Sequence, residues 1–375
     1  MAIATRPSES TAQCVVLMLA FELGERKWVL GFTTPGAPRT RTREIPARDT
    51  GRVLHEIAQA KAALGLAPDA RVESCYEAGR EGFWLHRWLV GQGIVNRVVD
   101  SSSIEVPRRK RRAKTDAIDV TGLLRLLERF LRGEPKVWSV VRVPSVAAED
   151  ARQLEREIDT ITADRTRVRN RIRGLLAAQG VTLRFDRHLR AALTCVRTGT
   201  GDPLPAMLRA RVERELTALA AIESRMRELR ALQRTSVRGD TPAAKLLGVR
   251  GIGIRGAARL SREVFDWRRF TSGRQVGALM GMTPTPYDSG EMRREQGISK
   301  AGNRRVRALA IELARGWRHF QPESALTQWY QRRFGHGSAR LQRIGIVALA
   351  RKLLIALWRY LQTGVVPTGA QLKRA

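Results

Sequence analysis

Two long heptad-like stripes in the middle of the chain constrain its fold more than any other feature. Each has seven positions spaced alternately four and three residues apart, and six of the seven are apolar. The first stripe is Leu154, Ile158, Ile161, Arg165, Val168, Ile172 and Leu175, and the second is Leu208, Val212, Glu215, Leu219, Ile222, Met226 and Leu229. At ~1.5 Å per residue each helix is roughly 32 Å long, so the pattern predicts a helical hairpin or coiled-coil arm.

The connection between the two stripes is predicted over residues 198–205, which have the composition of a loop. An alternative is that both helices are ordinary amphipathic helices in a globular core. The equal lengths of the stripes favour the arm, which we place at residues 146–235.

The first 145 residues are predicted to form an α/β domain. Strand-like segments occur at 15–20, 27–32, 41–45, 71–76 and 94–99, and helical spacing occurs at 50–64, 82–90 and 116–130. Three strands followed by alternating helix and strand indicate a mixed sheet with helices packed on it.

Residues 236–375 are predicted to be mainly α-helical outside a stretch at 281–298. Helical patterns occur at 254–265, 300–316, 324–334 and 340–361. A glycine-rich turn at 248–253 resembles the hairpin of helix-hairpin-helix DNA-binding motifs, in which the backbone at Gly251 and Gly253 would face a phosphate. A plain helix–helix turn is the alternative.

The charge of the chain indicates a polyanionic partner. Among 375 residues, 68 are Lys or Arg and 36 are Asp or Glu, which gives a net charge of +32. Nucleic acid is the first expectation and an anionic membrane surface the second. No apolar run is long enough to span a bilayer. Three widely separated cysteines exclude a disulfide scaffold and a zinc ribbon, and they suit a reducing cytosol.

Two groups of cations are candidate phosphate-binding segments. The first group contains Arg108, Arg109, Lys110, Arg111, Arg112 and Lys114. The second group contains Arg293, Arg294, Lys300, Arg304 and Arg305.

Four carboxylates form a candidate metal site. Glu22 and Glu77 end predicted strands, and Asp116 and Asp119 share one face at the start of a predicted helix. Clustered carboxylates do not stay ionised together without a cation, and oxygen ligands with a phosphate substrate favour Mg²⁺ or Mn²⁺. The alternative is that the aspartates only stabilise a helix N-terminus and the glutamates only end strands.

Ser289 is the candidate nucleophile. It is followed by Gly290 and flanked by arginines that could hold a phosphate beside its hydroxyl. A purely structural loop serine is the alternative, and Tyr287 is the rival nucleophile.

Five short motifs occur in order along the chain. They are Glu-Ala-Gly at 77–79, Lys-Thr-Asp-Ala-Ile-Asp at 114–119, Gly-Met-Thr-Pro at 281–284, Ser-Gly at 289–290 and Gly-Ile-Ser-Lys-Ala-Gly-Asn at 297–303. In this order and nearly end to end, the chain resembles the DEDD transposases of bacterial insertion sequences, the insertion-sequence 110 family of bridge-RNA recombinases.

The resemblance implies a RuvC-like domain of ribonuclease-H fold at 1–145, a coiled-coil linker at 146–235 and a C-terminal transposase domain at 236–375. It implies that Ser289 forms a covalent phosphoserine link with DNA, beside a Mg²⁺ site made by Glu22, Glu77, Asp116 and Asp119. The implied partners are donor DNA, target DNA and an element-encoded bridge RNA, and no membrane partner is expected. The implied assembly is a homodimer or homotetramer. The implied location is the bacterial cytoplasm, in association with the nucleoid.

The chain departs from the family pattern at two places. Glu22 stands where the family has Asp, and Gly79-Arg80 stands where Thr-Gly is expected. Two other functions therefore stay open. One is a metal-dependent RuvC-like junction endonuclease that does not use Ser289, and the other is a catalytically impaired relative that only binds nucleic acid.

Overall fold

The computed structural model describes residues 16–104, 116–186, 188–239, 241–289 and 292–373. The predicted basic run at 108–114 lies outside the described residues. The chain divides into two compact units, Met1–Val143 and Pro144–Ala375. The three domains predicted from the sequence, at 1–145, 146–235 and 236–375, stay a prediction.

The first unit is built on a five-stranded mixed sheet with the order β3-β2-β1-β4-β5. Its strands are β1 (Leu17–Leu23), β2 (Lys27–Thr33), β3 (Arg41–Pro46), β4 (Val72–Glu77) and β5 (Val95–Val99). The first three strands are antiparallel, whereas β4 is parallel to β1 and β5 is parallel to β4. The predicted α/β class, with its mixed sheet, is confirmed.

Helices cover both faces of this sheet: α1 (Thr50–Ala63), α2 (Trp84–Gly91) and α3 (Asp116–Leu131). Leu17, Leu19 and Phe21 of β1 share one core with α1 and α2. Met18 and Ala20 share the other core with α3. Because successive strand residues face opposite sides, β1 is apolar on both faces and lies buried between two helical layers.

Gly31 sets how closely α3 approaches the sheet. It pairs with Ala20 across the β1–β2 ladder. A Cβ atom at this position would overlap the Val120 Cγ1 methyl group and lie 3.0 Å from Leu124 Cδ1. The missing side chain therefore lets α3 lie against the sheet and fixes the height of its first turn, which carries Asp116 and Asp119.

We expect Gly31→Ala to lower the free energy of unfolding by about 1–3 kcal/mol, because the added methyl group overpacks this contact. Gly122→Ala is the matched control, since its added Cβ meets nothing within 4 Å. That control should raise stability by ~0.5–1 kcal/mol through helix propensity. Chemical denaturation measures both variants, and equal stability of the two would contradict the close approach at Gly31.

The second unit is mainly helical. Its helices are α4 (Val146–Asp150), α5 (Gln153–Ala177), α6 (Leu189–Cys195), α7 (Ala206–Thr235), α8 (Pro242–Leu247), α9 (Ile254–Leu260), α10 (Gly273–Leu279), α11 (Arg304–Phe320), α12 (Ala325–Tyr330) and α13 (Ala339–Thr363). Two strands, β6 (Pro284–Ser289) and β7 (Met292–Ile298), form an antiparallel hairpin within it. This hairpin occupies the one stretch that was predicted not to be helical.

Helices α5 and α7 pack together along the predicted stripes. Two apolar clusters join them, one of which also includes α6 and the connection, and both are separate from the main core of α8 to α13. The two polar stripe positions are both accommodated. Arg165 donates to the Met226 sulfur at 3.6 Å, and Glu215 pairs with Arg171 at 2.7 Å. The connection differs from the prediction, because it extends over residues 178–205 and contains α6 instead of being a loop at 198–205 alone.

A buried polar cluster joins the start of α5 to the end of α7 and to α9. Glu155 is 2% exposed, accepts a 2.7 Å hydrogen bond from Gln233 and pairs with Arg262 at 3.0 Å. Asp159 pairs with Arg259 of α9. Burial raises the pKa of Glu155, opposed by the Arg262 charge. These contacts fix the α5–α7 hairpin to the helices that follow it.

Within the described part of the chain, none of the helices is both long and apolar enough to cross a membrane.

Candidate active site and nucleic-acid interface

Glu22 and Glu77 lie side by side at the ends of two parallel strands. The β1–β4 register pairs Phe21 with Tyr76, so each glutamate is the next residue on its strand. Alternation along each strand places both on the face of Met18, Ala20 and Cys75, which α3 covers. The sheet thus brings together the first two acidic residues predicted from the sequence.

Asp116 and Asp119 begin α3 above the same face of the sheet. Asp116 is exposed and Asp119 is half-buried. Asp116 lines an open cleft of about 400 Å³ on the β2–β3 side of the sheet. The other lining residues are Lys27, Val29, Thr42, Arg43, Glu44 and Ala117. The helix therefore carries the two aspartates to the same sheet face as the glutamates, with Asp116 turned towards β2 and β3.

Lys27 and Glu44 are components of this cleft that the sequence patterns missed. Lys27 Nζ lies 2.7 Å from Glu44 Oε2. The hydrogen bond and charge of Glu44 raise the pKa of Lys27, and the charge of Asp116 adds to the effect. The ladder places Glu44 opposite Val29, which is itself opposite Glu22. Glu44 therefore lies across the sheet from Glu22, with Val29 of the intervening strand between them, and this placement follows only from the strand register.

The described residues contain no group of three or more His, Cys, Asp or Glu side chains arranged to hold a metal ion. The four predicted carboxylates therefore share a sheet face but do not come together as a group that could hold a metal ion in this arrangement. Their donor chemistry, all carboxylate oxygen, is the kind that Mg²⁺ and Mn²⁺ accept. Their role as metal ligands stays a prediction.

Ser289 is the last residue of β6. It pairs with Met292 in the β6–β7 ladder, Asp288 pairs with Arg293, and Tyr287 pairs with Arg294. The candidate nucleophile therefore lies at the end of a hairpin, where the two strands connect. The predicted flanking arginines stand on the facing strand, one and two register positions from Ser289.

The base of this hairpin is fixed by the two flanking glycine motifs. The backbone N–H of Lys300 donates to the Gly281 carbonyl at 2.9 Å, and that of Asn303 donates to the Leu279 carbonyl at 2.7 Å. Gly302 has φ +145°, and a Cβ there would lie 2.5 Å from the backbone nitrogen of Gly281. The motifs at 281–284 and 297–303 thus pack backbone against backbone.

Arg307, which is not among the candidate residues predicted from the sequence, completes this junction. Its guanidinium donates to the carbonyls of Met280 at 2.7 Å and Lys300 at 3.1 Å. Asn303 caps α11 by accepting from the backbone N–H groups of Arg305 and Val306. The predicted cations Lys300, Arg304 and Arg305 are all exposed around the start of this helix.

The glycine-rich turn at 248–253 lies between α8 and α9, as predicted. Gly251 has φ +87° and packs so closely on Phe320 that a Cβ would lie 2.8 Å from the Phe320 Cβ. The Lys373 ammonium donates to the carbonyls of Leu247 at 2.6 Å and Ile252 at 2.9 Å, and burial lowers the pKa of Lys373. Lys373 therefore holds the two ends of this turn together through their carbonyls. Phosphate binding by Gly251 and Gly253 stays a prediction.

Comparison with known proteins identifies the family. The model of the Transposase IS116/IS110/IS902 family matches residues 243–330, which include Ser289 and both flanking motifs. A Sinorhizobium fredii protein that bears the name of a transposase is 39% identical over 98% of both chains. The Coxiella burnetii transposase for insertion sequence element IS1111A is 25% identical over 77% of this chain and 76% of its own. At 39% identity over almost its whole length, the chain belongs to the IS116/IS110/IS902 family of transposases.

Proposed function

We propose that this transposase cuts and rejoins DNA through a covalent phosphoserine link at Ser289. The observation that carries the proposal is the position of Ser289 at the end of the β6–β7 hairpin, whose base the motifs at 281–284 and 297–303 hold rigidly. A nucleophile needs a fixed approach to its target, and a braced hairpin supplies it.

The proposed chemistry balances without an external energy source. The Ser289 hydroxyl oxygen attacks the scissile phosphorus and loses its proton, and the bond from phosphorus to the leaving DNA oxygen breaks. That oxygen takes up a proton. In the reverse sense, a hydroxyl of the acceptor strand attacks the phosphoserine, and Ser289 regains its proton. One phosphodiester is exchanged for another, so no nucleotide triphosphate is consumed.

The first unit is proposed to be a RuvC-like domain of ribonuclease-H fold that supplies the acidic site. The mixed sheet supports this, because Glu22 and Glu77 stand near the ends of adjacent parallel strands, on the face that α3 covers. Glu22, Glu77, Asp116 and Asp119 would hold Mg²⁺ or Mn²⁺. Such an ion stabilises charge on a phosphate and on the oxygens that attack it and leave it.

The partners proposed are donor DNA, target DNA and an element-encoded bridge RNA that selects them, bound by a homodimer or homotetramer. A net charge of +32 supports more than one nucleic-acid contact. Lys300, Arg304 and Arg305 lie exposed beyond the hairpin base, where they can contact phosphates of a bound nucleic acid.

One assay separates the proposal from its two rivals. Labelled DNA carrying an element end and a target is incubated with the protein, the flanking RNA and Mg²⁺. The proposal predicts joined strands and a protein–DNA adduct after denaturation. A junction endonuclease would instead leave free hydrolysed ends with no adduct, and an impaired relative would bind the DNA without cutting it.

Glu22 allows a sharper test of the acidic site. Glu22→Asp should keep or raise recombination, because it restores the residue of the family pattern. Glu22→Gln should reduce recombination on the order of a hundredfold, because the charge that would hold the cation is lost. Recombination rates across a Mg²⁺ titration measure both variants. Equal activity of Glu22→Gln and the parent would remove Glu22 from the site.

A further inference from the structure

A second basic surface lies in the last part of the chain, after the residues matched by the family model. We call residues 331–344 the basic turn. Its exposed cationic or titratable side chains are Arg332, Arg333, His336, Arg340 and Arg343. Among the described residues, none of the four arginines forms an ion pair with a carboxylate, whereas Arg156, Arg225, Arg259 and Arg262 each do. The basic turn is therefore an uncompensated positive patch.

The backbone of the basic turn has the form of two helices joined by a tight turn. Helix α12 continues into a π-helical turn, Gln331–Gly335, and α13 begins at Ala339. Only residues 336–338 connect them, and Gly337 is among them. A short glycine-containing turn between two helices is the arrangement of helix-turn-helix motifs.

Side-chain hydrogen bonds hold this turn in one shape. The Gln342 amide donates to the carbonyls of Gly335 at 3.3 Å and Gly337 at 3.0 Å. The Tyr330 hydroxyl donates to the Gln342 carbonyl at 3.3 Å, and Ser338 caps α13 by accepting from the backbone N–H of Leu341. The cations are thus presented by a fixed scaffold.

Close packing adds to this rigidity. A Cβ at Gly345 would lie 2.5 Å from the Phe334 ring, so α13 presses directly on the π-helical turn. Gly345 is also the first buried residue of α13. The part of α13 that precedes Gly345 does not contribute to the core. Arg340 and Arg343 are exposed there, together with Leu341 at 40% and Ile344 at 48% exposure.

We propose that the basic turn binds duplex DNA, with the first turns of α13 in the major groove and Arg332 and Arg333 on the phosphate backbone. The major groove of B-DNA admits an α-helix, and the second helix of a helix-turn-helix enters it by its N-terminal residues. Arg340 and Arg343 are three residues apart on one face of α13, where both reach the same groove.

Duplex DNA fits this surface better than RNA. The deep, narrow major groove of an RNA duplex does not admit a helix, and single-stranded RNA is recognised largely by aromatic stacking. Phe334, the one Phe, Tyr or Trp residue of the basic turn, is 8% exposed and packs against Trp329 and Tyr330. This inference does not depend on Ser289 or on the acidic residues, because its readout is binding and not recombination.

The test compares two double variants of the full chain that remove equal charge. Arg340→Gln with Arg343→Gln alters the basic turn. Arg227→Gln with Arg230→Gln is the matched control, since these residues of α7 are also exposed and three apart. Glutamine has a helix propensity close to that of arginine, so both variants should keep the parental melting temperature. Anisotropy of labelled duplex DNA is measured across a salt titration, and a duplex RNA of equal length is measured beside it.

The proposal predicts that the α13 variant loses roughly tenfold or more of its affinity for duplex DNA near ~0.1 M salt, because two side chains that reach base edges in the groove are removed. The control variant and RNA binding should change several-fold less. Equal losses in the two variants, an unchanged α13 variant, or a loss on RNA as large as that on DNA would each overturn the proposal.

Discussion

Replacing Ser289 with alanine is expected to reduce recombination by at least about a thousandfold, because the covalent step then lacks its nucleophile. Binding of DNA should persist, since the substitution removes one hydroxyl group and no charge. Strand exchange on labelled element ends measures the first effect, and an equilibrium binding titration measures the second.

Two neighbouring substitutions serve as controls for Ser289. Ser299→Ala removes a serine hydroxyl at the base of the same hairpin, where the backbone N–H of Ser299 donates to the Thr283 carbonyl and is kept in the variant. Tyr287→Phe removes the hydroxyl of the rival nucleophile. Both variants should recombine within a few-fold of the parent. Strong loss in Tyr287→Phe with activity left in Ser289→Ala would reverse the assignment.

Neutralising the acidic residues is expected to have the second large effect. Glu77→Gln and Asp119→Asn should each lower recombination by about a hundredfold to a thousandfold, because each removes a charge that would hold the cation beside the phosphate. Folding should persist, since neither substitution changes the volume of a packed apolar side chain. Rates at saturating DNA and the melting temperature are the measurements.

Glu44→Gln is the matched control for the acidic residues. Glu44 lies on the same sheet face and lines the cleft with Asp116, but it belongs to no motif. Its ion pair with Lys27 is exposed, and exposed pairs contribute little to stability. The control should keep most of the activity. A loss in Glu44→Gln as large as that in Asp119→Asn would contradict the restriction of the chemistry to the four predicted carboxylates.

The sequence predicts the local elements of this fold well because their periodicity is strong. The stripes of α5 and α7 each bury one repeating set of apolar residues, so their positions follow from spacing, and β1 is a short apolar run that composition alone marks as a strand. Helix α6 and the start of the connection at residue 178 were not predicted, because the short polar segments around Gly180 show no repeating spacing of apolar residues.

The long-range contacts of the site could not be derived from spacing. Glu44 joins the acidic face only through the registers of two antiparallel ladders. Lys373 contacts the turn at 248–253 although more than a hundred residues separate them in the sequence. Arg307 bonds to backbone carbonyls at the hairpin base, and because every residue has a carbonyl, no sequence motif marks its partners. Such contacts depend on the tertiary fold. The motifs that the resemblance supplied do converge, since 281–284 and 297–303 meet at the hairpin base.

The most direct test of the account is to identify the atom that becomes linked to DNA. The protein is incubated with labelled DNA carrying its site, the flanking RNA and Mg²⁺, then denatured and digested, and the DNA-linked peptide is sequenced by mass spectrometry. The account predicts a phosphodiester link at Ser289 that is absent without Mg²⁺ and in Asp119→Asn. A link mapped to Tyr287, or DNA cleavage with no linked peptide at all, would contradict it.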